Sequence, residues 1–530
     1  MSKSLKNIGV VATVTVASRV LGLVREIFIA AAFGTSALNS AFVSAFTLPN
    51  LFRRLLGEGA LTAAFVPTMS HELEHRHRPA AFALVSKVAS WLLVATVLLV
   101  GLATLVLMNA RPLLGLAPGV ADATLQRLLL GADLAVMLFP YMILVCLAAV
   151  FSAACQVLGR FTEPALSPVW LNLACLAALG LGGWWAWDAP QRMNLLCAGV
   201  LLGGGLQMLV PAGVLWREGW RPRFDLRPDD RVRDIMRLMG PTVIGSAIYL
   251  VNISISRFIG LSLNDNAASV LNLANRVMEL PIGVFTAAIA TVVFPLIARH
   301  AARSDWQALA ADYHKGLRLV LVVNVPAAAG LALLSEPIIR LLFERGAFHA
   351  SDTRLMAPIL VVYALGLPFL SFTTLALRGF YSLKDTATPV RAAALSFVVN
   401  LVLSVALMRT LSTVGLALAS NLAVLAQAWY LQTRLSRRLS GLHLAPLLPS
   451  LGKILAATLV MGLVVWGGER LALFLPLPAK GRDLLVVVTL IPLAAGCYGL
   501  LLWAWKIEGR QELEAVLGRM TAKLRGRPPS

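Results

Sequence analysis

Residues 8–33 are apolar apart from Arg19, Arg25, Glu26 and a few small polar side chains, and runs of this length recur down the whole chain. A helix needs roughly 20 apolar residues to cross a bilayer. On that measure the sequence predicts fourteen spans, at 8–33, 38–70, 81–109, 125–158, 165–187, 194–216, 235–262, 267–298, 315–335, 354–382, 389–409, 413–433, 450–470 and 484–505. The fold class expected is therefore an all-α polytopic membrane protein. The spans at 38–70 and 267–298 are too long for a straight crossing and contain Pro49 and Pro67, and Pro281 and Pro295. Bends that line a cavity are expected in both.

Composition agrees. Hydrophobic residues make up 58% of the chain and charged ones 14%, where a soluble protein carries about 25% charged residues. Mean hydropathy is +0.79. The net charge of +20 sits mostly in short links between apolar runs, as the positive-inside rule requires, so no nucleic-acid partner is expected. Cys146, Cys155, Cys175, Cys197 and Cys497 all lie in apolar runs without a CxxC pair, which reads as small core residues and no metal site. The first run is too long for a signal-peptide core and is expected to remain as the first span.

Loop charge sets the expected orientation. The link "REGWRPRFDLRPDDRVRDIMR" holds seven arginines, and "HELEHRHRP", "SLKDTATPVR", "TRLSRRLSG" and the tail after Lys506 are basic. The alternate links "GTSALNS", "LSLNDNA" and "RTLSTVG" are nearly uncharged. Both termini are thus expected in the cytoplasm. The link carrying Arg340, Arg345 and Arg354 breaks the pattern.

Three pairs share one offset. Pro67 in "AFVPTMSHE" matches Pro295 in "VVFPLIARH", Pro140 in "MLFPYMI" matches Pro368 in "GLPFLSF", and Asn172 in "VWLNLAC" matches Asn400 in "FVVNLVL", each 228 positions on. This predicts two parallel six-helix lobes, 1–217 and 235–437, joined by a basic cytoplasmic linker at 218–234. Two extra helices lie in 438–506 and a basic cytoplasmic tail in 507–530. Parallel repeats of this kind place a substrate between the lobes.

The intramembrane charges are Arg19, Arg25, Glu26, Arg53, Arg54, Glu58, Arg257, Arg276 and Glu279. A central arginine costs about 2.5–3.5 kcal/mol on insertion scales and so faces a partner or a watery cavity. Seven residues bring Arg19 and Glu26 to within about 20° on a helix, whereas Arg25 lies about 120° from Arg19. Arg53 and Glu58 flank the glycine-weakened stretch after Pro49, and Arg276 and Glu279 share a face just before Pro281. Guanidinium groups so placed suit a phosphate or diphosphate, which they grip bidentately. Arg54 and Arg257 read instead as snorkelling or structural pairs. The "HELEH" at 71–75 fits the helical zinc motif but sits in a charged link without a third ligand nearby, and reads as a solvated helix end. Gly452-Lys453 lacks the first P-loop glycine, so no nucleotide or other cofactor is expected and transport is expected to draw on the membrane potential or an ion gradient. "GVLLGGGLQ" at 199–207 has the small-xxx-small spacing of closely packed helices, and Trp184, Trp185 and Trp187 read as an interfacial belt.

The segments "SRVLGLVREIFIAAAFG", "LPNLFRRLLGEGALTAAFVP", "NRVMELPIGVF" and "GFYSLKDTATPV" resemble the MurJ (MviN) family of lipid II flippases, within the multidrug/oligosaccharidyl-lipid/polysaccharide exporter superfamily. The resemblance covers nearly the whole chain. It implies a multi-pass protein of the bacterial cytoplasmic (inner) membrane that is a transporter, not an enzyme. It would move lipid II, the undecaprenyl-diphosphate-linked disaccharide-pentapeptide, from inner to outer leaflet by alternating access, for peptidoglycan and cell-wall synthesis. It implies substrate-binding roles for Arg19, Arg25, Arg53 and Arg276, gating or ion-pair roles for Glu26, Glu58 and Glu279, and a lipid-tail groove formed with the two extra helices. Partners would be lipid II, membrane lipids and other cell-wall synthesis proteins. The chain departs from the family pattern at Ser40, where relatives carry aspartate, and at Asn275, where some relatives do. The alternative is a flippase for another polyprenyl-linked glycan, which should lack the "LPNLFRR" and "NRVMELP" segments.

Overall fold

Hydrocarbon offers backbone N–H and C=O groups no partner, so an apolar run of this length satisfies them along its own axis, as helix. The computed structural model describes residues 3–57, 60–115, 121–439 and 441–506, with side chains described except at 3–13, 53–57, 60, 62–63, 113–115, 238, 240–254, 284 and 288. Among these residues every regular element is helical. The order is α1 Lys3–Phe33, α2 Ala37–Gly57, α3 Ala60–Met108, α4 Ala110–Gly115, α5 Asp122–Leu138, α6 Pro140–Val157, α7 Thr162–Trp184, α8 Ala189–Arg217 and α9 Asp230–Leu263. Then come α10 Ala267–Pro281, a π-helical turn Ile282–Thr286, α11 Ala287–Ala302, α12 Trp306–Leu333, α13 Ser335–Phe343, α14 Ala350–Ser382, α15 Ala387–Arg438, α16 Leu448–Ala472 and α17 Ala479–Ala504. Among the described residues nine helices are long and apolar enough to cross a membrane.

Breaks fall where the chain's chemistry asks for them. Pro140 opens α6 directly after α5, since proline fits the first turn of a helix but not its interior. The bend expected near Pro281 takes the form of the π turn that follows it. Within α3, His77 adopts φ 63° and ψ 178°, two residues before Pro79, so α3 is two helices meeting at a corner. Ser412 divides α15 in the same way, at φ 50° and ψ −131°.

The chain packs as two compact units, Met1–Asn272 with Arg345–Asp352, and Leu273–Glu344 with Thr353–Ser530. In the first, α7 lies along α8 and α1, α3 along α6, and α2 along α5 and α6. α9, expected to open the second lobe, packs on α2, α3 and α5. The core of this unit runs through Phe65, Leu84, Leu138, Tyr141 and Met193. Close packing of α8 on α7 needs its glycines: a Cβ at Gly199 would sit 2.7 Å from that of Ala178, and one at Gly203 would sit 2.9 Å from the Leu171 Cα. Trp184 and Trp185 are exposed, as a belt requires.

In the second unit α11 packs on α12, α12 on α16, α16 on α17, and α13 on α17. Its core gathers Tyr313, Leu317, Leu375, Phe380, Leu431 and Leu435. The nine residues of α13 had been expected as part of a loop.

Candidate functional site

Three charges of α1 go to different places. Arg19 is exposed and, among the described residues, has no ion pair or hydrogen bond. Arg25, turned away from it, keeps only 11% of its side chain exposed and pairs with Glu26 at 2.6 Å. The second oxygen of Glu26 accepts from the Asn272 amide at 3.3 Å. The Asn272 carbonyl oxygen accepts from Arg257 at 3.0 Å, and Arg257 also donates to the Thr47 hydroxyl. Five side chains from α1, α2, α9 and α10 thus form one polar row inside the first unit.

The row follows from the cost of burying charge. An ionised group in an apolar interior must be paired and hydrogen-bonded. Glu26 is 5% exposed and Asn272 6%. An asparagine amide is both donor and acceptor, so Asn272 can face a carboxylate on one side and a guanidinium on the other. Two guanidinium groups and one carboxylate are thus linked through one amide.

At the end of α1 a second cluster forms. Ser40 donates to the Asp265 carbonyl at 2.6 Å and lies 3.0 Å from the Ser269 hydroxyl. Where relatives were expected to carry aspartate, this hydroxyl reaches the α9–α10 junction directly. Thr35 donates to Asp352 at 2.6 Å, and the Asn266 amide donates to both oxygens of Thr35 at 3.0 and 2.8 Å. The link that broke the charge pattern supplies Asp352, and its Ala347 amide donates to the Ala31 carbonyl at 2.8 Å.

In the second unit Arg276 reaches Glu279 at 3.2 Å across one turn of α10, and Asn275 donates to the other Glu279 oxygen at 3.0 Å. Their side chains remain 28% and 40% exposed, so the pair is accessible. Glu58 lies outside the described residues, and of Arg53 and Arg54 only the α2 backbone is described. The helical zinc motif is accounted for otherwise: Glu72 is buried and paired to Arg231 at 2.6 Å, while His71 and His75 stack in the open with ring centres 4.2 Å apart.

The second unit also holds a cavity of about 530 Å³ between α10, the π turn, α12 and α13 on one side and α16 and α17 on the other. Phe285, Pro326, Leu331, Met461 and Ile491 line it. Tyr498 turns its hydroxyl away onto the Val322 carbonyl at 2.8 Å. Such a lining suits a hydrocarbon chain.

The structure therefore brings together Arg276 and Glu279, as their spacing allowed, whereas Glu26, which its spacing placed on the face of Arg19, pairs with its neighbour Arg25. It adds Asn272, Thr47 and Ser269, which sequence reasoning missed. Their one signal was a neutral polar side chain within an apolar run beside an unmatched arginine. Arg257, read as snorkelling or a structural pair, is held by Thr47 and Asn272.

The family model described as "Lipid II flippase MurJ" matches residues 29–476. Arg53 and Arg276 lie within that match; Arg19, Arg25 and Glu26 precede it. A probable lipid II flippase MurJ of Rhizobium tropici is 35% identical over 434 residues, 80% of this chain and 79% of that one. Among solved structures, lipid II flippase MurJ in an inward closed conformation superposes with a TM-score of 0.77 at 22% identity, covering 95% of this chain and 99% of that one. An inward-facing multidrug transporter of the MATE family, in the MOP superfamily, superposes at 0.66 with 14% identity, over 82% of this chain and 98% of that one.

Proposed function

This chain belongs to the lipid II flippase MurJ family, and from that premise we propose how its residues carry lipid II from the inner to the outer leaflet of the bacterial inner membrane. The observation that carries the reading is the family match over 29–476, which takes in most of both packing units. The protein is a multi-pass transporter rather than an enzyme, and its product serves peptidoglycan synthesis. Fourteen spans, cytoplasmic termini and two parallel six-helix lobes are the topology proposed, supported by loop charge and by the 228-residue offset.

Arg19, Arg25, Arg53 and Arg276 supply positive charge for the diphosphate. In the resting protein Glu26 holds Arg25 and Glu279 holds Arg276. A carboxylate carries one negative charge and a diphosphate more, with oxygens spaced for bidentate guanidinium contacts. The cargo can thus draw an arginine off its glutamate, and the released glutamate marks the loaded state. Glu58, outside the described residues, is the further gating or ion-pair candidate. The polyprenyl tail lies in the apolar cavity against α16 and α17, which leaves the charged headgroup to the arginines. Alternating access moves the headgroup, and the membrane potential or an ion gradient drives the cycle.

Depletion of this protein from its host, followed by measurement of lipid-linked glycans in the inner leaflet, tests the reading. Lipid II is expected to accumulate there. Accumulation of a different polyprenyl-linked glycan, with lipid II translocation unchanged, would replace it by the alternative substrate.

A further inference from the structure

The stretch after α8 reads from composition as a basic linker, yet it is strapped to the second half of α3. Trp220 is 4% exposed; its ring meets that of Phe151 at a tilt, with centres 5.1 Å apart, and its indole N–H donates to the Ser86 hydroxyl at 3.0 Å. One helical turn further along α3, the Ser90 hydroxyl accepts from the Asp225 amide at 3.0 Å and faces the Arg223 carbonyl at 3.4 Å. The chain then turns back. Asp229 pairs with Lys87 at 2.7 Å and with Arg231 at 2.6 Å, and Arg231 reaches Glu72 at 2.6 Å.

The order of these anchors gives the strap a direction. It passes from the level of Ser86 to that of Ser90 and returns to Lys87 and then Glu72. Four residues of helix span about 6 Å, so Arg223–Asp225 is the tip of a hairpin-like dip along α3. Beyond Ser90 the exposed side chains of α3 are Trp91, Leu98, Leu99, Leu102 and Leu105, the face a helix shows to lipid tails. The tip therefore ends where the headgroup layer gives way to hydrocarbon.

What the tip presents fits that depth. Phe224 is 68% exposed, although the strap has an inner side that takes Trp220. Arg223 and Arg227 are exposed beside it and, among the described residues, neither guanidinium has a carboxylate partner. Of the nearby acids, Glu218 is taken by Arg160 and Arg78, Asp229 by Lys87 and Arg231, and Asp230 by Arg233. Asp225 caps its own turn by accepting from the Arg227 amide at 2.9 Å. An exposed aromatic ring flanked by unmatched guanidinium groups has two needs, an apolar layer and an anion directly above it.

We propose that the strap tip is a docking site for an anionic phospholipid, with Arg223 and Arg227 on the phosphate and Phe224 among the upper acyl carbons. This goes beyond the flippase reading, because it concerns a resident membrane lipid on the outer surface of α3 and not the transported cargo. A basic side chain near an anionic membrane contributes about 1 kcal/mol, and the aromatic ring adds an interfacial anchor. The dock holds the strap, and through it α3, at a fixed depth.

Native mass spectrometry of the full-length protein, with added phosphatidylglycerol or phosphatidylcholine, reads the site. The wild type is expected to retain phosphatidylglycerol in preference. An Arg223→Gln/Arg227→Gln variant is expected to lose roughly tenfold to thirtyfold in apparent affinity for it. Its melting temperature in lipid-free detergent should not change, because both side chains lie outside the packed core. Equal phosphatidylglycerol retention by variant and wild type would overturn the proposal, as would a wild type without preference. A second measurement does not depend on those variants. A nitroxide placed at Phe224→Cys in a Cys497→Ser background should collide with oxygen more than with a water-soluble nickel chelate. The reverse would place the tip in water, free for a protein partner, and would overturn the dock.

Discussion

Asn272 donates a hydrogen bond to Glu26 at 3.3 Å across 246 positions of chain. That single amide connects the Arg25–Glu26 pair on α1 to Arg257 on α9. It converts two separately buried charges into one row with a shared carboxylate.

Two substitutions at Asn272 should have different results. Asn272→Ala leaves a buried carboxylate oxygen and a buried guanidinium each short of one partner, at a cost of about 1–3 kcal/mol. Asn272→Asp puts a second carboxylate into the row, between Glu26 and Arg257. That variant is expected to be produced at near-normal level but to translocate lipid II poorly. Protein level and translocation measured together separate the two effects. Full translocation by Asn272→Asp would show that transport does not depend on the row's charge.

Gly346 sits at φ 59°, and a Cβ there would run into the Ala31 carbonyl oxygen, which accepts from the next amide, Ala347, at 2.8 Å. Gly346→Ala is therefore strained both by backbone conformation and by contact, at about 1–3 kcal/mol. Hydrogen exchange in peptides covering 345–352 should accelerate at least several-fold. Unchanged protection there would mean that the segment does not rest on α1 as described.

Arg340 on α13 holds Asp483 on α17 with one nitrogen at 2.9 and 2.7 Å from its two oxygens. Asp483 is 3% exposed. Breaking a buried pair costs about 3–5 kcal/mol, and the loss falls toward the lower end here because Glu336 and Glu344 also lie within 3.5 and 3.7 Å of Arg340. Asp483→Ala should lower the melting temperature in detergent and expose α17 to protease. Asp483→Glu should recover part of the loss, since it restores the charge. A melting temperature equal to wild type in Asp483→Ala would remove the pair from any stabilising role.

The Arg231 guanidinium, and then the Lys87 ammonium, hold the Asp229 carboxyl well below the usual carboxylate range, against the opposing effect of burial. A depressed folded pKa contributes stability that is complete above the unfolded value, about 3.9, and is lost as pH falls through the folded value. Strap protection by hydrogen exchange should hold from neutral pH down to about 4 and weaken below it. Asp229→Asn should flatten the acid limb. A strap that loosens above pH 5 in the wild type would contradict the assignment.

Much of the fold was legible because hydrocarbon leaves the backbone one choice. The apolar runs fall on helices, nine of which among the described residues are long and apolar enough to cross a membrane, a π turn follows Pro281, and the glycines of 199–207 meet α7 at contact distance. These are local consequences of apolar length, proline and missing side-chain bulk. The separation of Arg19 from Arg25 was legible too, since six residues of helix turn one about 120° from the other.

What the sequence by itself determined is which charges lie within apolar runs and which way round a helix they point. Only the tertiary structure decided what each one meets. A helix's geometry carries no information about a residue 246 positions away, so neither the Glu26–Asn272 bond nor the Arg257–Thr47 contact could be read in advance. The seven arginines of 217–237 looked like a solvated linker because composition records charge alone. Packing turned them into a strap, since the few residues that anchor it, Trp220, Ser86, Ser90 and Lys87, meet only when α3 and α8 both pack on α6.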